Sequence, residues 1–372
     1  MSTTDPHHLT DLNSFQALYD LGWNPPERAL LFKQWLVPVS VSHGLKLHTL
    51  RIASADASFR RYFRIDGNDQ TFILMDAPPD KENCQPFVDI SHLMLQAGLR
   101  APRVYDWQPE TGFMLLEDLG QHTMMHALTQ VNANQQLGLF EQATDALLLW
   151  QQASQPGVLP AYDDALLRRE LSLFEQWYVN THRQYTLNAQ QTADLALVYD
   201  RLVKHNLAAP RVYVHRDFMP RNLMVSDQST DNRLGVLDFQ DAVEGPLTYD
   251  IASLMRDAFI SWDEDFCLDI TVRYWQKAKA QGLMDFEDWH SDFGAFYRAV
   301  EWMGLQRHLK VAGIFARLSL RDHKPKYLAD TPRFIQYIRA TAGRYRELMP
   351  LLRLVDQIEG QAPNVSYAFG RM

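Results

Sequence analysis

A polar stretch between two apolar runs constrains what this chain can fold into more than any other part of it. Residues 215–222 read H-R-D-F-M-P-R-N and follow the apolar residues 212–214, and a second apolar run, residues 234–237, ends on Asp238. This pattern predicts a strand, a polar loop and a second strand that ends in an acid. An incidental β-turn is the plainer interpretation, but it does not account for the order and spacing of the polar side chains.

The polar side chains of this frame are those that phosphoryl transfer from a nucleotide requires. Asp217 is the candidate catalytic residue, which orients the acceptor hydroxyl and takes its proton. Asn222 and Asp238 are the candidate metal ligands, because magnesium prefers hard oxygen ligands and bridges the nucleotide phosphates. The sequence therefore predicts an enzyme that uses ATP and Mg²⁺.

Composition and charge narrow the class of protein. Hydrophobic residues make up 46% of the 372 residues and charged residues 22%, which is ordinary for a globular protein with a core. The net charge of −9 argues against a general nucleic-acid or anionic-membrane surface. Cys84 and Cys267 lie far apart in the chain, which fits a reducing compartment without disulfides or a zinc site.

The start of the chain has neither the basic nor the apolar region of a signal peptide, and no apolar run reaches membrane-spanning length. We therefore expect a soluble, cytoplasmic protein with no nucleic-acid, membrane or obligate protein partner. An acidic protein that handles ATP must concentrate positive charge locally, so clusters of arginine become informative.

The secondary-structure pattern changes near residue 120. Residues 9–36 read as a helical arm, and residues 47–119 read as strands with one helix over about 86–97. The remaining chain is mainly helical, with predicted helices at 137–152, 166–180, 192–206, 249–259, 266–281, 293–318 and 331–352.

We therefore predict an α+β fold with two lobes. Residues 1–120 would form the helical arm and a small, antiparallel, strand-rich nucleotide lobe. Residues 121–372 would form a large helical lobe for catalysis and substrate binding, with the nucleotide in the cleft between the lobes.

Residues 53–58 predict a turn of small residues between two strands, which lets the backbone approach phosphates closely. Glycine is missing there, so the Ser58 hydroxyl is the candidate phosphate ligand. Arg60 and Arg64 supply positive charge on one face of the next strand, and alternation sends Arg61 to the other face. An ordinary hairpin would show the same pattern.

The strand over residues 112–120 ends in a polar turn that resembles a hinge. Adenine could pair there with the Glu117 carbonyl and the Leu119 amide. A buried strand with an acidic exit turn is the simpler interpretation, and it holds whether or not adenine binds.

Together these motifs resemble the aminoglycoside phosphotransferase and choline kinase branch of the kinase-like phosphotransferase superfamily. The resemblance implies a protein-kinase-like bilobal fold, in which Asp250 braces the catalytic loop with His215 as its neighbour. Asp250 follows twelve residues after Asp238, which leaves no room for the activation segment of a protein kinase. The acceptor is therefore expected to be a small molecule.

Four stretches are similar in more detail to bacterial anomeric sugar kinases of peptidoglycan recycling, which act on N-acetylmuramate and N-acetylglucosamine. They are residues 53–64, 75–79, 115–120 and 237–242. The resemblance implies transfer of the ATP γ-phosphoryl group to the anomeric hydroxyl of an amino sugar, which yields a sugar 1-phosphate.

The chain departs from the superfamily pattern in the strand over residues 71–75, which lacks the expected phosphate-binding lysine. Either Arg60 or Arg64 replaces that lysine, or the protein is a pseudokinase. A guanidinium binds phosphate in a bidentate manner, so replacement by arginine is physically reasonable.

Candidate sugar contacts lie mainly in the predicted helix over residues 298–318. An indole can stack on a pyranose, and charged side chains can bind its hydroxyls or a lactyl carboxylate. The candidates are Glu301, Trp302, Arg307 and His308, together with Arg221 and Asp241 beside the catalytic motifs. Core packing of Trp302, and internal ion pairs or a solvated face for the charged residues, remain open alternatives.

Other functions share this catalytic frame. A kinase of another small alcohol or amine, such as an aminoglycoside, choline or homoserine, is one alternative. A non-catalytic regulator of pseudokinase type is a second. A protein kinase is disfavoured by the short segment after Asp238.

Overall fold

The computed structural model describes residues 23, 27–55, 59–226, 231 and 233–361. Two compact units make up the chain. The first, here called the strand unit, comprises Met1–His122 and Met224–Gln240, and the second, the helical unit, comprises Thr123–Leu223 and Asp241–Met372. The predicted α+β class, with a strand-rich and a helical part, is confirmed.

The strand unit contains a five-stranded antiparallel sheet in the order β1-β2-β3-β5-β4. The strands are β1 (Lys46–Ala55), β2 (Arg61–Asp66), β3 (Thr71–Asp76), β4 (Val104–Gln108) and β5 (Phe113–Glu117). Helix α1 (Glu27–His43) precedes the sheet, and helix α2 (Gln85–Gln96) connects β3 to β4. The first part of the predicted helical arm, residues 9–22, lies outside the described residues.

Alternation along the strands decides which face of the sheet meets α1. Phe63, Leu74 and Leu115 occupy neighbouring register positions and belong to one buried cluster with α1 residues. Phe32 of α1 lies 5.7 Å from the Phe63 ring and 5.2 Å from the Phe113 ring. Because side chains alternate across a strand, Arg64 belongs to the opposite face.

A buried carboxylate ties α1 to the end of β3. Asp76 accepts hydrogen bonds from Arg28 Nε at 2.6 Å and from Arg61 Nε at 2.9 Å, and its side chain is 1% exposed. The Arg61 guanidinium also lies 4.1 Å from the Trp23 ring. Two cations and aromatic faces therefore compensate the desolvation of one acid.

The helical unit contains most of the helices. They are α3 (Met124–Ala127), α4 (Ala133–Gln152), α5 (Asp164–Leu173), α6 (Ala189–Ala208), α7 (Thr248–Met255), α8 (Glu264–Ala280), α9 (Phe293–Leu320), α10 (Thr331–Arg344) and α11 (Met349–Glu359). A π-helical turn, Phe174–His182, continues α5. Strand β6 (Arg211–Val214) pairs antiparallel with β9 (Val243–Pro246). Two further short strands are β7 (Leu223–Met224) and β8 (Gly235–Val236), the second of which belongs to the strand unit.

Local sequence signals explain where several helices begin. Asn132 with Gln135, and Asn188 with Gln191, form capping boxes at the starts of α4 and α6. The prediction of a single helix over residues 331–352 is wrong. Helix α10 ends at Arg344, and a separate helix, α11, begins at Met349. Pro350 lies in the first turn of α11, where its missing N–H costs nothing, but it cannot continue a preceding helix.

Helix α9 is the central helix of this unit. It spans Phe293–Leu320, and its residues from Ala299 to Gly313 are buried without interruption. A helix buried on all sides brings polar side chains into the interior, where each needs a partner. In the described part of the chain, no helix combines the length and apolarity needed to span a membrane.

We predict that Arg28→Met lowers the free energy of unfolding by about 2–3 kcal/mol, because Asp76 stays buried with only Arg61 as its cation. Urea denaturation measures the change. Arg51→Met is the matched control, since Arg51 and Asp66 form an exposed ion pair and its loss should cost less than about 1 kcal/mol. Equal effects of the two substitutions would contradict the prediction.

Candidate active site

The loop after β6 presents Asp217 in the helical unit. Asp217 is half-buried, and its backbone N–H donates to His215 Nδ1 at 3.2 Å. Asn222 ends a 3₁₀ turn, Pro220–Asn222, and its side-chain Nδ2 donates to the Asp217 carbonyl at 2.9 Å. The candidate catalytic residue and one candidate metal ligand are therefore joined by a direct hydrogen bond.

Asp250 of α7 holds the start of this loop. Its two carboxylate oxygens accept the backbone N–H groups of His215 at 2.7 Å and of Arg216 at 3.0 Å. Burial raises the pKa of Asp250 to about 7, while the two amide donors act against that rise. This geometry supports the brace that the resemblance implied for Asp250 and His215.

Asp238 lies in the strand unit, directly after β8. Its backbone adopts φ +63°, in the left-handed region, and its side chain is exposed. Gln240 Nε2 donates to Asp238 Oδ1 at 2.9 Å. A non-glycine residue in this region is strained and persists only where the surrounding structure holds it. Such residues are frequent at functional sites.

The donor chemistry of these residues fits magnesium. The Asn222 amide nitrogen donates to the Asp217 carbonyl, and an amide oxygen is a neutral donor of the kind that magnesium takes. Asp238, in the strand unit, carries a carboxylate, an anionic donor of the same hard-oxygen class. Neutral and anionic oxygens are the ligands that Mg²⁺ prefers, and nucleotide phosphates commonly supply the rest.

The two arginines proposed to replace the missing lysine have different partners. Arg60 lies just before β2, is buried, and its Nη2 donates to Glu82 at 3.1 Å. Arg64 instead binds Asp118 through Nε at 2.6 Å and the Gly120 carbonyl through Nη2 at 2.8 Å.

Arg64 is therefore committed to the segment after β5, whereas the ion pair of Arg60 with Glu82 lies just ahead of α2. Ser58, the other candidate phosphate ligand, lies outside the described residues.

The segment proposed to bind adenine is well anchored. The backbone N–H of Glu117 donates to the Arg103 carbonyl at 2.8 Å. The Leu119 carbonyl accepts from Arg100 Nη2 at 3.2 Å, and the Leu119 side chain is buried. These contacts fix the backbone of the predicted hinge.

A cavity of about 250 Å³ lies within the helical unit, beside the C-terminal end of α7. Two of the candidate sugar contacts, Glu301 and His308, line it. Its other polar lining residues, which sequence patterns did not single out, include Arg256, Ser261, Glu264, Tyr297, Gln336, Tyr337 and Arg344.

Charged pairs surround this cavity. Glu301 accepts hydrogen bonds from Arg344 and from the Tyr345 hydroxyl, and Arg256 Nη2 donates to Glu264 at 2.6 Å. His308 is buried and stacks on Tyr337, with the ring centroids 4.8 Å apart. Burial lowers the pKa of His308, with Arg307 and Arg256 acting in the same direction.

The other candidate sugar contacts lie elsewhere. Trp302 is buried, and its ring lies 4.6 Å from His205, so its indole belongs to helix packing rather than to a sugar surface. Arg307 is buried and donates to the Arg256 carbonyl at 2.9 Å. Arg221 is exposed with its guanidinium 4.6 Å from the Phe259 ring, and Asp241 is exposed next to the catalytic motifs.

Comparison with known proteins decides the family. The model of the "Phosphotransferase enzyme family" matches residues 49–290. This chain belongs to the phosphotransferase enzyme family. The resemblance predicted from the motifs is thereby confirmed, and the chain is a phosphotransferase.

Three relatives of this phosphotransferase are named N-acetylmuramate/N-acetylglucosamine kinase. The Pseudomonas putida protein is 49% identical over 84% of this chain and 89% of its own length. The Pseudomonas aeruginosa protein is 48% identical, over 82% and 87%. The Neisseria meningitidis serogroup B protein is 44% identical, over 90% and 97%.

Solved structures place the phosphotransferase in the same fold as more distant kinases. A choline/ethanolamine kinase family protein from Mesorhizobium loti has a TM-score of 0.57 at 15% identity, over 90% of this chain and 99% of its own. Plasmodium vivax ethanolamine kinase has a TM-score of 0.58 at 10% identity, over 95% and 98%. At these identities the likeness describes the fold alone.

We predict that low pH reduces the free energy of unfolding of this phosphotransferase, because His205 becomes protonated. Burial, with Arg298 as a further cause, lowers the pKa of His205 to about 4. Because the unfolded chain takes up this proton first, stability is complete above the ordinary pKa of histidine, near 6.5, and is lost as the pH falls toward 4. The loss should reach at most about 3 kcal/mol, since one pKa unit is worth about 1.4 kcal/mol.

Urea denaturation at a series of pH values between 7 and 4 measures this loss. His205→Gln should flatten the pH dependence of the unfolding free energy relative to the wild type. The same substitution at His92, which is exposed on α2, is the control. Parallel curves for the wild type and His205→Gln would refute the assignment.

Proposed function

We propose that this phosphotransferase transfers the γ-phosphoryl group of ATP to the anomeric hydroxyl of N-acetylmuramate or N-acetylglucosamine and releases the sugar 1-phosphate. The observation that carries the proposal is the catalytic loop, in which Asp217 is half-buried and joined to Asn222 and to the amides held by Asp250. The name shared by relatives at 44–49% identity supports this choice of sugar. A role in the recovery of cell-wall sugars would place the enzyme in the cytoplasm, where ATP is available.

The chain's own residues have distinct roles in this proposal. Asp217 orients the acceptor hydroxyl toward the γ-phosphorus and accepts its proton as the new P–O bond forms. An anomeric hydroxyl is more acidic than an ordinary alcohol, so proton removal demands little of this carboxylate. Asn222 and Asp238 would hold Mg²⁺, which supplies charge neutralisation at the phosphates when bound.

Arg60 is the proposed replacement for the missing lysine. Its ion pair with Glu82, just ahead of α2, resembles the pairing of a phosphate-binding lysine with a helix glutamate in protein kinases. The backbone of Glu117 and Leu119 is proposed to receive adenine, and Ser58 to approach the phosphates. Arg64 is proposed to stabilise the segment after β5 through Asp118.

The cavity beside α7 is the proposed site for part of the acceptor. Its charged lining alternates between cations, Arg256 and Arg344, and acids, Glu264 and Glu301. Such a lining offers both donors and acceptors to sugar hydroxyls, and the cations suit a lactyl carboxylate. They also disfavour a cationic acceptor such as choline. Arg221 and Asp241 remain proposed contacts at the reacting end of the sugar.

The proposal predicts the outcome of a substrate panel. The protein is incubated with ATP and Mg²⁺ and with N-acetylmuramate, N-acetylglucosamine, choline or kanamycin, and phosphorus NMR locates the new phosphate. We expect an anomeric phosphate on one or both amino sugars and none on choline. Phosphate on choline or kanamycin alone would replace the proposed acceptor, and no phosphate with any acceptor would favour a pseudokinase.

Asp217→Asn is the control within this panel. It should lower turnover by roughly 10²–10⁴-fold, because the amide cannot accept the proton. Nucleotide binding, measured by calorimetry, should remain. Turnover at the wild-type rate would remove Asp217 from the mechanism.

A matched pair of substitutions tests the arginine assignment. Arg60→Met should weaken ATP binding by about tenfold or more, because a cation at the phosphates is lost. Arg64→Met should leave ATP affinity closer to the wild type and act mainly on stability, because the buried Asp118 carboxylate loses its cation. Calorimetric titration with ATP and Mg²⁺ measures both. A larger loss of affinity in Arg64→Met would reverse the assignment.

A further inference from the structure

Arg216 lies inside the catalytic motif, yet the proposed chemistry does not use its side chain. Its backbone adopts φ +77°, a left-handed conformation that is strained for a residue with a side chain. Asp217 follows it directly, so the orientation of the catalytic carboxylate depends on this peptide unit. Such a conformation persists only when the surroundings hold it.

The side chain of Arg216 is held by a buried carboxylate on another helix. Arg216 Nη2 donates to Glu170 Oε1 of α5 at 2.6 Å. The Tyr162 hydroxyl donates to Glu170 Oε2, and Lys310 Nζ of α9 lies 3.1 Å from Glu170 Oε1. The side chains of Glu170 and Lys310 are 5% and 10% exposed. Glu170, Arg216 and Lys310 are here called the charge cluster.

Lys310 extends the charge cluster to α7 and toward the catalytic acid. Its Nζ also donates to the Tyr249 hydroxyl at 3.2 Å, and Tyr249 precedes Asp250 in the chain. Burial would lower the pKa of the Lys310 ammonium, but the charges of Tyr249, Glu170 and Asp217 raise it. Burial would raise the pKa of Glu170, but Lys310 and Arg216 outweigh it and hold that pKa below its ordinary value.

The charges of the cluster do not cancel. Two cations, Arg216 and Lys310, surround one carboxylate, Glu170, so one positive charge remains in a buried site beside Asp217. A buried charge without compensation is costly, and the Asp217 carboxylate is a group that could compensate it. The cluster therefore combines two tasks: it holds the backbone before Asp217, and it favours one orientation of that carboxylate.

We propose that Glu170 and Lys310 are positioning residues for the catalytic loop, which they hold in its active conformation through Arg216. The buried Glu170 carboxylate supplies the anionic partner of Arg216 permanently, so this loop needs no added phosphate group to order it. The inference rests on the proposed role of Asp217, and it assigns to this chain residues that no sequence motif marked.

Lys310→Met and Glu170→Gln test the inference, with Arg168→Met as the control. Arg168 lies on the same helix as Glu170, but its ion pairs with Asp164 and Asp200 are exposed. Hydrogen exchange followed by mass spectrometry reports on the loop without any acceptor. Both test variants should exchange the amides of residues 211–222 at least about tenfold faster than the wild type, with α11 unchanged.

Steady-state kinetics with the acceptor found by the substrate panel provides the second measurement. Lys310→Met should lower kcat by about 10–100-fold and leave KM for ATP within about threefold, because orientation is lost and binding is not. Lys310→Arg, which keeps the charge, should recover most of the loss. Arg168→Met should behave as the wild type.

The outcomes separate this inference from the proposed function. Unchanged exchange in both variants would overturn the inference, whichever acceptor is used. So would equal losses in Lys310→Met and Lys310→Arg, or failure of both test variants to fold by circular dichroism, since the cluster would then be a structural core element. A wild type that phosphorylates none of the panel would refute the proposed function, and the exchange result would still stand.

Discussion

The loop after β6 depends on one interaction. The Asp250 carboxylate accepts two successive backbone N–H groups of this loop. It joins α7 to the amides of His215 and Arg216, and thus sets the direction in which the chain leaves β6. Asn222 closes the same loop from its other end by donating to the Asp217 carbonyl. Both ends of the loop are therefore held by side chains.

In the proposed mechanism, these contacts take the place of the activation segment that follows the metal-binding Asp in protein kinases. Asp250 follows closely after Asp238 in the chain, and Glu170 from α5 supplies a permanent anion for Arg216. The strand unit also contains ion pairs that are largely buried, between Arg60 and Glu82 and between Arg64 and Asp118. Buried pairs of this kind specify one arrangement more than they add stability.

Much of the fold could be predicted because it rests on short-range patterns. Alternation predicted the strands of the five-stranded sheet, and period-3.6 patterns predicted the main helices to within a few residues. The break after Arg344 was missed, although Pro350 marked it, because the apolar pattern continues on both sides. The roles of Glu170 and Lys310 could not be predicted, since a lone Glu on α5 and a lone Lys on α9 resemble solvated positions until packing buries them.

By itself, the sequence determined the α+β class, the kinase-like motifs and the residue types needed for phosphoryl transfer, because these depend on local spacing and on the chemistry of single side chains. Tertiary structure alone decided which charged residues meet. It paired Arg64 with Asp118 and buried Trp302 in the core beside His205. It also brought Glu170 next to Arg216 and Lys310. The physical reason is that partners far apart in the chain are chosen by the cost of burying a charge, which exists only once the helices have packed.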